Sequence, residues 1–259
     1  MMQITSDQIQ SARDTATLRW QNPYRGFTSG CDSRTSDNAL LVQIFGGLNY
    51  AANHEWLNAG RRLIDKTYIN MLWHVQSLLP MSACSPESIS AALDNFILEH
   101  IRPIWLELPN LNASEKQDLA ESLIKQAATA LFGSLKSEVA ASRLLFILCP
   151  TLPIYNLSLA NQLALQTLGY ATADNSYPAF AQSCNACCKS IIQQVESLAL
   201  PQPTFGSQEE QTLIYQLLHD HDWWTRRVFD ALLQQIATEA YPDHELLFSA
   251  TSNGQLPAL

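Results

Sequence analysis

Ala140-Ala141-Ser142-Arg143-Leu144-Leu145-Phe146-Ile147-Leu148-Cys149-Pro150-Thr151-Leu152-Pro153-Ile154-Tyr155-Asn156-Leu157-Ser158 reads as an apolar helix, a short rigid corner and the start of a second helix. Pro150 and Pro153 each fix φ and withhold a backbone donor, so neither helix can run through the corner. Asn156 is a residue type that caps helix starts. It is expected where the backbone N–H groups of the following helix converge.

Helical signals spread outward from this corner on both sides. Upstream, Leu119, Leu123, Ala127 and Leu131 repeat at helical spacing up to Gly133, and Ser114-Glu115-Lys116-Gln117 fits a capping box at the start. Ser85-Pro86-Glu87 opens an earlier helix with Ile89, Leu93, Phe96, Ile97 and Ile101 on one face. A stretch over 55–79 carries Leu63, Tyr68, Met71, Leu72 and Val75 and closes at Pro80, and the apolar run 39–45 stops at Gly46-Gly47. Downstream, helices are expected over 157–168 up to Gly169, over 174–198 with Pro178 near the start, and over 207–219 and 222–238 after Pro201-Gln202-Pro203. No stretch alternates in the manner of a strand. Residues 1–35 carry turn chemistry in Asn22-Pro23-Tyr24-Arg25-Gly26 and Ser29-Gly30-Cys31-Asp32-Ser33. They read as an irregular arm, serving as a binding rim or as a plain wrap. The expectation is an all-α fold: a single domain of roughly 9–11 helices, with an arm at 1–35, a core at 36–200 and a helical pair at 207–240 packing back. A groove between two lobes is compatible with it.

Hydrophobic residues make up 47% of the 259 and charged residues 15%. The core material is ample, and the surface must rest on Gln, Asn, Ser and Thr. The net charge of −9 argues against a broad nucleic-acid surface, because phosphate contacts need Lys and Arg. Local clusters still allow a short grip: Arg13, Arg19, Arg25 and Arg34; then Arg61, Arg62 and Lys66; then Arg226 and Arg227. The opening residues lack signal-peptide character, and no apolar run reaches the ~18 residues that cross a bilayer. A cytoplasmic protein with reduced thiols and no membrane partner is the expectation.

The corner resembles the helix–turn–helix that presents the catalytic carboxylate in the helix-hairpin-helix (HhH-GPD-like) base-excision DNA glycosylases. Divergent relatives of that superfamily place an Arg or Lys before the apolar helix, then a Pro-x-x-x-Pro-type turn and an Asp. Arg143, Pro150, Pro153 and Asn156 occupy those places here. Arg226-Arg227-Val228-Phe229-Asp230-Ala231-Leu232-Leu233 resembles their closing helix. The resemblance covers about a fifth of the chain and implies a DNA partner, a flipped base, no cofactor and a groove. It implies roles in DNA or base binding for Tyr24, Arg25, Arg34, Lys136, Arg143, Tyr155, Trp223, Trp224 and Arg226. Trp223 and Trp224 are adjacent, so one is expected to pack while the other faces the groove.

The chain departs from that pattern where chemistry is most exacting. The expected Asp is Asn156. The phosphate-binding hairpin shrinks to Gly133-Ser134-Leu135-Lys136-Ser137, the lyase-type Lys falls near Glu138, and the four-Cys iron–sulfur loop is absent. Breaking an N-glycosidic bond develops positive charge on the sugar, which a carboxylate stabilises while orienting water. An amide can hold water but can neither supply the charge nor take the proton. Beside Asn156 the reaction therefore needs another carboxylate, with Asp32, Asp37 and Asp230 as candidates. The implied activity is a monofunctional glycosylase acting on a modified base, a chemistry suited to defence against phages whose DNA carries such bases. The alternative is a non-catalytic helical DNA- or protein-binding module on the same scaffold, with Asn156 an ordinary helix cap.

Two further constellations carry residues capable of ligation or capping. Cys184-x-x-Cys187-Cys188 could ligate zinc with His219 and His221, against buried thiols on a helix. No metal is expected. His219-Asp220-His221-Asp222 reads as a helix junction in which Asp222 caps the last helix.

Overall fold

A computed structural model describes residues 3–21, 86–106, 111–133, 137–170, 176–196, 208–209, 211–212, 215 and 223–242. Among the described residues there are helices and connecting turns, with no strand, so the fold is all-α. The elements are α1 (Ser6–Gln21), α2 (Pro86–Phe96), a π-helical turn (Ile97–Ile101), α3 (Arg102–Leu106), α4 (Ala113–Phe132), α5 (Glu138–Leu148), α6 (Leu159–Thr167), α7 (Tyr177–Glu196) and α8 (Trp223–Ala240). None of the described helices is long and apolar enough to cross a membrane.

The C-terminal α8 is the centre of the fold. Its residues from Trp223 through Leu233 are all buried, and α1, α6 and α7 pack around it. A helix enclosed on every side is usually apolar throughout, yet α8 also buries Thr225, Arg226, Arg227 and Asp230. Those polar groups require partners, which sets the problem of the site below.

Residues 6–21, expected to be part of an irregular arm, form α1 instead. Ile9, Ala12, Ala16 and Trp20 recur three or four residues apart and are all buried, against α8 in the main. Turn residues elsewhere in the arm and the polar run Ser6-Asp7-Gln8 at the start of α1 mask this stripe in the sequence. Small Ala12 and Ala16 let the two helix axes approach closely. Trp20 then meets Trp223 edge to face, with ring centroids 5.4 Å apart.

A second group of helices is built on α4, which packs against α2 and α5. Its cap lies two residues before the expected Ser114. Asn112 Oδ1 accepts from the backbone N–H groups of Ser114 (2.9 Å) and Glu115 (3.0 Å), and Glu115 Oε2 accepts from the Asn112 N–H at 2.8 Å. Asparagine caps at least as well as serine, and a charged Glu in the first turn suits the helix dipole better than Gln117 would. Asn112→Ala is expected to cost about 1 kcal/mol, read as a lowered urea midpoint at unchanged slope. At the other end Gly133 closes α4 at φ +70°, a left-handed conformation that side chains with a Cβ avoid.

α2 and α3 form one continuous helix across the π-turn at Ile97–Ile101. The Arg102 N–H reaches back to the Ile97 carbonyl. Pro103 explains the widened turn: its ring would press on the carbonyl four residues back and it has no N–H to offer.

Candidate functional site

The corner between α5 and α6 is bracketed by side chains from distant elements. The Leu157 N–H donates to Ser142 Oγ at 3.1 Å, and that hydroxyl donates to the Val139 carbonyl at 2.9 Å. The Tyr155 N–H donates to the Tyr177 hydroxyl at 3.0 Å. Arg226 Nη2 donates to the Pro150 carbonyl at 2.8 Å, and Asn161 Nδ2 to the Asn156 carbonyl at 2.8 Å. Two tight bonds complete it, Ile154 N–H to Leu152 C=O and Ser158 N–H to Asn156 C=O, both 2.8 Å. Each spans a single intervening residue, the first one Pro153, whose fixed φ suits such a turn. An irregular segment can thus be buried with these backbone groups satisfied.

Asn156 is not the cap of α6. That role belongs to Ser158, whose Oγ accepts from the Asn161 N–H at 3.1 Å. The tight turn at Leu157 places Asn156 two residues before the cap and turns its side chain toward α8. There Asn156 Nδ2 donates to Asp230 Oδ1 at 3.1 Å, and Asn161 Nδ2 donates to the same oxygen at 2.8 Å. Gln234 Nε2 donates to Asp230 Oδ2 at 2.8 Å, and Arg19 Nη1 lies 3.8 Å from that oxygen. A carboxylate only accepts, so both asparagine NH₂ groups must face it. The Oδ1 atoms of Asn156 and Asn161 therefore turn away, and both are buried without a hydrogen-bond partner.

One carboxylate thus joins four segments: α1 through Arg19, the corner through Asn156, α6 through Asn161 and α8 itself. Asp230 also attracts Arg143 of α5. Burial pushes the Arg143 guanidinium below its ordinary value, and the Asp230 charge works in the opposite direction. The amide side of Asp230 is closed, whereas Arg19 and Gln234 are only partly buried.

The remaining expected site residues are placed as follows. Tyr155 is buried; its hydroxyl donates to Asn185 Oδ1 at 2.6 Å and its ring meets Phe229 edge on. Trp223 and Trp224 are both buried, so neither faces a groove as expected of one of them. Adjacent positions diverge, but α8 has neighbours on every side at its start. Arg226 is committed to Pro150, and the Arg227 guanidinium lies over the rings of Phe146 (4.7 Å) and Trp223 (5.1 Å). Tyr24, Arg25, Asp32, Arg34, Asp37 and Lys136 lie outside the described residues. The structure therefore brings together Asn156, Arg143 and Asp230, and adds Arg19, Asn161 and Gln234. Asn161 escaped notice in the sequence because nothing local separates it from a solvated helical asparagine.

Cys184, Cys187 and Cys188 are buried thiols on α7, and no cluster of three or more His, Cys, Asp or Glu among the described residues could hold a metal. His219 and His221 lie outside the described residues. Burial pushes the Cys149 thiol from 9.0 to about 11 and Cys187 to about 12. The fold therefore holds these protons more tightly than the unfolded chain does. The resulting stability is complete below the ordinary thiol value and is lost as pH rises through about 11. A falling alkaline limb in melting temperature is expected, along with thiols that react with a disulfide reagent only on unfolding.

Comparison of the chain with protein-family models, with curated proteins and with solved structures found no match.

Proposed function

We propose that this chain is a monofunctional DNA N-glycosylase acting on a modified base, with Asp230 in place of the carboxylate that the corner lacks. The observation that carries this reading is the bond between Asn156 and Asp230. The resemblance puts an Asp at position 156, and a buried carboxylate lies 3.1 Å from the amide found there. Of the three candidate carboxylates, Asp230 is the one within the described residues, whereas Asp32 and Asp37 lie outside them. In this reading water attacks the sugar carbon, the carbon–nitrogen bond breaks with its electron pair going to the base, and Asp230 stabilises the cationic sugar and accepts the water proton. Asn156 and Asn161 hold the carboxylate in place. Phage DNA carrying hypermodified bases is a suitable target class.

A second reading, a non-catalytic helical module that binds DNA or protein, is favoured by a specific observation. The Trp223, Trp224 and Arg226 side chains are all enclosed, so α8 offers neither a stacking surface nor a phosphate contact there. One experiment separates the readings. Duplex oligonucleotides with damaged or hypermodified bases are incubated with the protein and then treated with hot alkali, which cuts at abasic sites. Scission at the modified position is expected. Absence of scission on every substrate, with DNA or protein binding retained, selects the module.

A further inference from the structure

We infer that Arg19 is an exchangeable counter-ion of Asp230, which leaves the carboxylate for a DNA backbone phosphate when substrate binds. This rests on the glycosylase reading for the DNA partner and the catalytic consequence, and on geometry for the looseness of the ion pair. Arg19 is the loosest of the groups within 4 Å of Asp230. Its Nη1 is 3.8 Å from Oδ2, too far for a hydrogen bond, and its one direct bond is from Nη2 to Gln234 Oε1 at 2.8 Å. Its side chain is 32% exposed, against 7% for Asp230. An ion pair so exposed contributes little, so giving it up costs little.

The carboxylate does not depend on Arg19 for its position. Asn156, Asn161 and Gln234 together occupy three of its acceptor sites at 2.8–3.1 Å. Arg143 remains as a second positive group attracted to Asp230. Arg19 also stands in the sequence cluster with Arg13, Arg25 and Arg34, of which Arg13 sits partly exposed on α1, 3.2 Å from Asp14. A guanidinium prefers the two-pronged contact of a phosphate to a single distant carboxylate oxygen. Its departure removes a positive charge from beside Asp230, and the charge of Asp230 on a developing sugar cation becomes correspondingly more effective.

The test compares wild type, Arg19→Gln and Arg19→Lys in two measurements on a modified-base duplex. The first is the salt dependence of binding, followed by fluorescence anisotropy whether or not cleavage occurs. Arg19→Gln is expected to lower the slope of log affinity against log salt by about 1, the loss of one phosphate contact, and Arg19→Lys to restore it. The second is single-turnover cleavage. Arg19→Gln is expected to require several-fold more DNA to saturate, because the variant has lost the phosphate contact that Arg19 makes in the complex. Equal salt slopes for wild type and Arg19→Gln, with both folded by circular dichroism, overturn the exchange. A slope difference without cleavage by any variant supports the phosphate contact and overturns the glycosylase reading instead.

Discussion

Trp223→Ala is expected to lower the unfolding free energy by about 3–5 kcal/mol, a large share of the roughly 5–15 kcal/mol that holds a typical domain together. Trp223 is 1% exposed, at the start of the helix on which α1, α6 and α7 converge. Its removal deletes the edge-to-face contact with Trp20 and one of the two rings beneath the Arg227 guanidinium. That buried charge is then left over Phe146 alone among these two rings. The indole N–H has no hydrogen-bond partner, so Trp223→Phe forfeits packing but no bond and is expected to cost well under half as much. Urea unfolding followed by circular dichroism reads both. Equal losses would show that the indole N–H matters, against the arrangement described here.

Asp230→Ala is expected to have a comparable effect for a different reason. It removes the acceptor of three amide N–H groups and the counter-charge of Arg19 and Arg143. Breaking a buried charged network by deleting one partner costs about 3–5 kcal/mol, here chiefly because the Asn156 and Asn161 amides stay buried and lose their carboxylate acceptor. Asp230→Asn is milder. Its side-chain oxygen can still accept from Asn156 and Asn161, while Gln234 can offer its carbonyl to the new amide only by giving up its bond from Arg19, so about 1–2 kcal/mol is expected. What Asp230→Asn cannot replace is the negative charge. On the proposed chemistry its cleavage rate falls at least about 100-fold while the protein stays folded.

The helical class was legible because its signals are local. The apolar spacing in 119–131, the stop at Gly133 and the paired prolines of the corner each act over a turn or two of chain, and α4, α5 and α6 stand near their expected limits. Misreadings arose where two local signals compete. Asn112 and Ser114 are both good caps, and Asn156 and Ser158 repeat the ambiguity two residues apart. Tertiary geometry decided each case, since Asn156 is drawn to a carboxylate 74 residues away. The site was only partly legible for the same reason. Asn156 and Arg143 stand out beside the prolines, and Asp230 lies in the stretch resembling a closing helix. Arg19 and Asn161 carry no local mark of their role. Arg226 shows the converse: a pair of adjacent arginines suggests a phosphate grip, but this one is a bracket for the Pro150 carbonyl.

The carboxylate beside Asn156 either performs chemistry or only joins helices. Single-turnover cleavage of a modified-base duplex by wild type and Asp230→Asn, each at a temperature where circular dichroism shows it folded, decides this most directly. The expected result is strand scission after alkali with wild type and its loss, by about 100-fold or more, with Asp230→Asn. Scission at equal rates by both proteins, or by neither, would contradict the assignment of Asp230.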